Sequence, residues 1–256
     1  MRRRRLALGA SVVAIAVVAG CAAPGDPVTV TSPGATAVND IPPSSATSSS
    51  SVGTTAPTAL SPEAALAWSQ LRALPVKGRA PKTGYSRAQF GQAWSDDVNV
   101  DDGHNGCDTR NDILRRDLID IVLKPGTRGC VVLSGTLHDP YTDKTISFTR
   151  GAETSSAVQI DHVVALSDAW QKGAQQLTPQ QRIDFANDPR NLQATDGPTN
   201  QKKRNGDAAT WLPPNRTYRC TYASRQIAVK TAYHLWVTPA ERDALARILG
   251  TCSVQP

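Results

Sequence analysis

Ile160-Asp161-His162-Val163-Val164 places a carboxylate directly before an imidazole inside a short β-branched run. Such a run favours a strand, where successive side chains point to opposite faces. Both groups can serve one site only near a strand end, with partners supplied from elsewhere. The downstream sequence offers two: Asn191 in Pro189-Arg190-Asn191-Leu192, and Asn200 in Gly197-Pro198-Thr199-Asn200-Gln201-Lys202-Lys203-Arg204. Each residue alone is uninformative, because a single histidine beside an apolar run is more often structural than functional. The ordered set Asp-His, Asn, Asn-x-x-Lys is far more specific.

That set resembles the HNH endonuclease family. It is most similar to a secreted branch whose members read Ile-Asp-His-Val-Val, then Asn-Leu, then Gly-Pro-x-Asn-x-x-Lys followed by Trp-Leu-Pro-Pro. Here the last four are Trp211-Leu212-Pro213-Pro214. The resemblance runs from about Gln89 to Cys252, with its chemical core between Gln159 and Pro214. One departure is Asn200, where the family name has a second histidine. The resemblance implies an α+β fold: a ββα metal unit and a β-hairpin packed among several helices. It also implies a metal-dependent endonuclease acting on DNA, with RNA as the alternative. It assigns Asn191 to orienting the ring of His162, and Lys203 to a phosphate contact.

Phosphodiester hydrolysis requires an activated water, neutralisation of developing charge and a stabilised leaving oxygen. His162 suits the general base, since an imidazole titrates near neutral pH. Asp161 and Asn200 offer hard oxygen ligands, which suit Mg²⁺ first and Mn²⁺ second. Lys202, Lys203 and Arg204 are consecutive cations on an expected short helix, so at most two of them face a substrate. Arg110 is a further candidate for a phosphate, with an intradomain ion pair equally open. Asp207 is open between supporting a ligand and a cap or salt bridge. No zinc finger, helix-turn-helix or aromatic-rich sheet is evident, so contacts to phosphates and low sequence specificity are expected. The competing function is a non-catalytic surface lipoprotein that binds nucleic acid or cell-wall polymer. A serine hydrolase built on Ser134 or Ser167 lacks a Gly-x-Ser-x-Gly elbow.

The chain opens with a targeting pattern (residues 1–21). Arg2 to Arg5 precede an apolar stretch, Leu6 to Gly20, too short for a membrane span. The stretch ends Val18-Ala19-Gly20-Cys21, which resembles a bacterial lipobox and implies a lipid on Cys21; an ordinary cleaved signal is the alternative. Residues 22–62 are rich in Ser, Thr, Pro, Gly and Ala, with no Lys, Arg or aromatic residue. They read as a flexible tether. The expected product is exported, either lipid-anchored on the outer face of the membrane or free, and monomeric.

The whole chain has a net charge of +6, but residues 63–256 hold 24 Lys plus Arg against 20 Asp plus Glu. Overall charge is therefore weak evidence for nucleic acid. Residues 63–256 suffice for one domain with a sizeable core. Its four cysteines, Cys107, Cys130, Cys220 and Cys252, include no Cys-x-x-Cys pair and fit an oxidising compartment. Of the three possible pairings, Cys107–Cys130 and Cys220–Cys252 close loops of moderate length.

Ser61-Pro62-Glu63 predicts a helix to about Leu74, and Ser86 to Phe90 a short one. Asp96 to Gly103 has the oxygen-rich look of a calcium loop, but its glycine falls one position late and no closing Glu follows, so a solvated acidic loop is expected. Asp108 or Thr109 caps a helix expected to reach about Ile121. Cys130–Leu137 and Lys144–Phe148 form a hairpin across Asp139-Pro140-Tyr141-Thr142-Asp143. Helices are expected over Ala165–Gln175, from Thr178 to about Phe185, over Arg225–Leu235, and from Thr238 to near Gly250.

Overall fold

The computed structural model describes residues 60–252. The targeting segment with Cys21, and all but the last three positions of the tether, lie outside the described residues. Among the described residues no helix is long and apolar enough to cross a membrane.

Helix α1 (Pro62–Ala73) starts as expected, with Ser61 Oγ accepting from the Ala64 amide at 3.2 Å. A one-turn 3₁₀ helix covers Arg87–Phe90. Helix α2 (Thr109–Asp117) is capped by the Asp108 carboxylate. It is shorter than the sequence suggested, because Leu118–Leu123 forms a strand, β1, and not a last helical turn. Alternating Ile and Val prefer the pleat, and Asp120 takes a positive φ of 52° at an irregular register. Strands β2 (Val132–His138) and β3 (Thr145–Thr149) are the expected hairpin, and β1 extends it to an antiparallel sheet ordered β1-β2-β3.

A second, two-stranded sheet pairs β4 (Val158–His162) with β5 (Leu192–Asp196), antiparallel, setting Asp161 opposite Gln193 and His162 opposite Leu192. The chain between them makes α3 (Leu166–Trp170) and α4 (Pro179–Asn187). Helix α3 is only half the expected length. Gly173 at φ 124° stops it and starts a separate 3₁₀ turn over Ala174–Gln176. Helix α4 carries the full capping box on Thr178 and Gln181. Immediately after β5, Asp196 caps α5 (Gly197–Lys203). Glycine is required at 197, because a Cβ there would lie 2.1 Å from the Ser156 carbonyl oxygen. Helix α6 (Arg219–Ala232) begins six residues earlier than predicted, and α7 (Pro239–Leu249) opens on a second capping box.

Four apolar clusters hold these pieces, the smallest joining Tyr141, Val163 and Tyr222. Ala67, Leu71, Ile227, Leu245 and Leu249 join α1, α6 and α7. Phe90, Trp170, Phe185 and Val229 join α3 and α4 to α6. Ile113, Leu114, Leu137, Phe148, Ile160 and Leu192 place α2 across both sheets. Cys107 is bonded to Cys130 (S–S 1.99 Å) and Cys220 to Cys252 (2.11 Å).

A buried ionic cluster locks the helices. Lys172 Nζ lies 2.7 Å from each of Asp168, Asp207 and Glu241. Lys230 reaches Glu241 at 2.9 Å, and Arg79 reaches Asp168 at 2.8 Å and Asp207 at 2.6 Å. Three carboxylates thus face three cations. Burial alone would raise Asp168, but Lys230 and Lys172 outweigh it and hold the carboxyl below its ordinary range. Asp207 belongs to this cluster, which settles its role as structural. Lys172→Met is expected to lower the unfolding free energy by about 3–5 kcal/mol, because it strands buried carboxylates; guanidinium unfolding curves measure this.

Candidate active site

The end of β4 delivers two adjacent residues to different surroundings. Asp161 is buried. Its Oδ1 accepts from Lys203 Nζ at 2.9 Å, while Oδ2 accepts from Lys203 at 2.7 Å and from the Tyr141 hydroxyl at 2.7 Å. Lys203 also donates to the His162 carbonyl at 2.6 Å, so α5 grips β4 at two consecutive residues.

Tyr141 comes from the β2–β3 turn. Asp139, itself buried, accepts from the amides of Tyr141 and Thr142 and from the Thr195 hydroxyl at 2.7 Å. The turn is thereby fastened to β5, and the Tyr141 hydroxyl points at Asp161. Burial, then the charge of Asp161, push that phenol well above its ordinary pKa, so it remains a donor.

The ring of His162 has one assigned partner: Nε2–H donates to the Ala186 carbonyl at 2.9 Å. A carbonyl only accepts, so this bond sets the tautomer and leaves the lone pair on Nδ1. Trp94 stacks over the ring, with centroids 6.0 Å apart and planes 16° from parallel. Burial pushes the imidazole down to about 3, away from the near-neutral titration expected from the sequence; nearby Arg87 and Lys203 press the same way, against the hydrogen bond to Ala186, so the resting ring is uncharged.

Asn200 lies on α5. Its Nδ2 donates to Gln159 Oε1 at 3.0 Å, leaving Oδ1 as its acceptor without a partner among the described residues. Tyr85, Arg87, Asp161, His162, Asn200 and Arg204 line one polar hollow of about 220 Å³. The structure therefore brings three of the sequence-selected residues, Asp161, His162 and Asn200, to one place.

Other candidates sit elsewhere. Asn191 does not touch the imidazole: its Oδ1 accepts from the Val164 amide at 2.8 Å and its Nδ2 donates to the Phe185 carbonyl at 3.2 Å. It positions His162 at one remove, by fixing the segment that carries Ala186. Lys203 is not available to a phosphate, since its ammonium is buried against Asp161. Lys202 and Arg204 are exposed, and Arg204 borders the hollow. Arg110 donates to the Val158 carbonyl at 3.3 Å, bracing β4, and burial followed by repulsion from Arg150 lowers its pKa. Tyr141, Trp94 and Arg87 escaped the sequence reading, because aromatic and basic residues in turns carry no spacing signature.

A divalent cation would find few donors here. Among the described residues no three His, Cys, Asp or Glu side chains cluster around a common point. A carboxylate has about four lone-pair sites. Lys203 and Tyr141 take three on Asp161, leaving one on Oδ1. With Asn200 Oδ1 this fits a hard cation that keeps most of its water.

His162 makes a stability prediction with a definite sign. Unfolded histidine takes up a proton below about pH 6.5, whereas the folded ring resists until about pH 3. Stability must fall as pH drops from 6.5 toward 3. Melting temperatures in chelator should therefore decline between pH 7 and pH 4, and His162→Ala should flatten that decline.

Residues 108–248 match the family model described as GmrSD restriction endonucleases, C-terminal domain. An uncharacterized secreted protein of Arthroderma benhamiae is 38% identical over 194 residues, covering 75% of this chain and 87% of that protein. No solved structure matches the chain. The matched residues include β4, β5, α5 and every member of the polar hollow except Tyr85 and Arg87. The chain belongs to the family of the C-terminal domain of GmrSD restriction endonucleases.

Proposed function

We propose that the chain is an exported, metal-dependent endonuclease of the HNH type, cutting DNA with low sequence specificity. The observation that carries this reading is the polar hollow at the end of β4, where Asp161, His162 and Asn200 meet. The antiparallel pair β4–β5, followed at once by α5, supports a ββα reading of the site, with the helical excursion inserted between its strands. Membership of a restriction endonuclease family supports a nuclease-type enzyme.

His162 accepts the proton of the attacking water at Nδ1, because Nε2 is committed to Ala186. Trp94 and the Ala186 carbonyl keep the ring from turning. Asp161 and Asn200 would hold Mg²⁺ or Mn²⁺ through their remaining oxygens. That ion, when bound, supplies Lewis acidity on the scissile phosphate and charge for the leaving oxygen. Arg204 and Arg87, on the rim, meet the phosphate backbone, and Lys202 adds charge from the exposed face of α5. The targeting segment with Cys21, two disulfides and a relative named as secreted support export, with the lipid anchor on Cys21 as the membrane attachment.

Purified protein should nick supercoiled plasmid with Mg²⁺ or Mn²⁺ and stop in excess chelator. His162→Ala should reduce the rate by a factor of about 10² or more. Undiminished cleavage by His162→Ala would remove the proposed base. Salt-sensitive DNA binding with no cleavage under any divalent metal would instead favour a non-catalytic binder.

A further inference from the structure

A second hollow, of about 130 Å³, shares Arg87, His162 and Leu166 with the first but differs in character. Phe90, Ala93, Trp94 and Leu166 give it apolar walls, and Asn187 supplies a buried amide. The segment 87–94, which forms much of its wall, precedes the residues matched by the family model.

Two independent observations point to a ligand. Asn187 Oδ1 is buried without a hydrogen-bond partner. Its Nδ2 donates to the Ile183 carbonyl at 2.9 Å, and since that carbonyl only accepts, the oxygen is the atom left over. An unpaired buried acceptor costs about 1–3 kcal/mol, so it needs an explanation. Trp94, in turn, holds a positive φ of 60°, which is strained for a bulky residue and is the kind of cost kept at binding sites. The indole lies nearly parallel to the imidazole of His162, on the wall of this hollow.

Resting on the nuclease reading above, we propose that this hollow receives one nucleobase beside the scissile phosphate, turned out of its stack. The aromatic walls take the flat faces of the heterocycle, and Asn187 Oδ1 accepts from its exocyclic amino group. Cytosine, adenine and guanine carry that group; thymine presents a carbonyl instead. The enzyme then prefers single-stranded or easily opened DNA, where a base is turned out at least cost. Sequence readout is confined to this one position.

Two measurements on the full chain test this. In the first, cleavage ends from random single-stranded DNA are mapped. Amino-bearing bases should be enriched over thymine by about fivefold to tenfold at one position next to the cut, and Asn187→Leu should bring that ratio near one. Uniform ends from the wild type, or an unchanged bias in Asn187→Leu, would overturn the pocket while leaving the nuclease intact. In the second, the wild type in chelator is titrated with labelled (dC)₁₂ and (dT)₁₂. Tighter binding of (dC)₁₂ by about fivefold is expected, and equal affinities would overturn the proposal even if no cleavage were ever seen. Absence of cleavage by the wild type in the first experiment counts against the nuclease reading alone.

Discussion

The ion pair between Lys203 and Asp161 is the contact on which the rest of the site depends. A buried carboxylate needs a counter-charge and hydrogen bonds, and Lys203 with Tyr141 supplies the ammonium and three of the contacts to Asp161. The same ammonium holds the His162 carbonyl, so the orientation of β4 relative to α5 is set by one side chain. Asn200 lies one helical turn before Lys203 on the same face of α5. That face both seals the carboxylate and lines the hollow in front of it. Moving the helix would change the two together.

The helical excursion between the strands of the small sheet acts as a support for the histidine. It leaves after His162 and returns at Asn191, where the Val163 amide donates to the Asn191 carbonyl at 2.7 Å and the Val164 amide to its side chain. Asn191 thus closes the neck of the excursion. Its other hydrogen bond holds Phe185, next to the Ala186 carbonyl that sets the tautomer. A residue assigned to the ring by resemblance works through two backbone segments, which explains why it is wholly buried.

Local signals were legible in the chain, and long-range ones were not. The caps at Ser61, Thr178 and Thr238 marked helix starts to within a residue, because capping chemistry is contained in four consecutive positions. The hairpin was readable for the same reason. Strand β1 was missed because its Leu-Ile-Asp-Ile-Val-Leu reads as a helix continuation until β2 is beside it. Asp161, His162 and Asn200 could be picked out by order and spacing. That Lys203 would turn inward, and that Tyr141 would arrive from a turn, depended on which elements meet in space. Lys203 illustrates the limit well: three neighbouring cations look equivalent in sequence, and only the carboxylate behind the second makes it differ.

The two ends of the described chain lie side by side, with the Ser61 amide donating to the Cys252 carbonyl at 3.3 Å and Cys252 bonded to Cys220 at the start of α6. Any tug arriving from the preceding residues enters at α1 and meets the covalent strap of Cys220 and Cys252 through its neighbours α6 and α7. A pull applied at Leu60 would be borne first by that three-helix block. The small sheet lies off that route, so its cleft would keep its register under such a load.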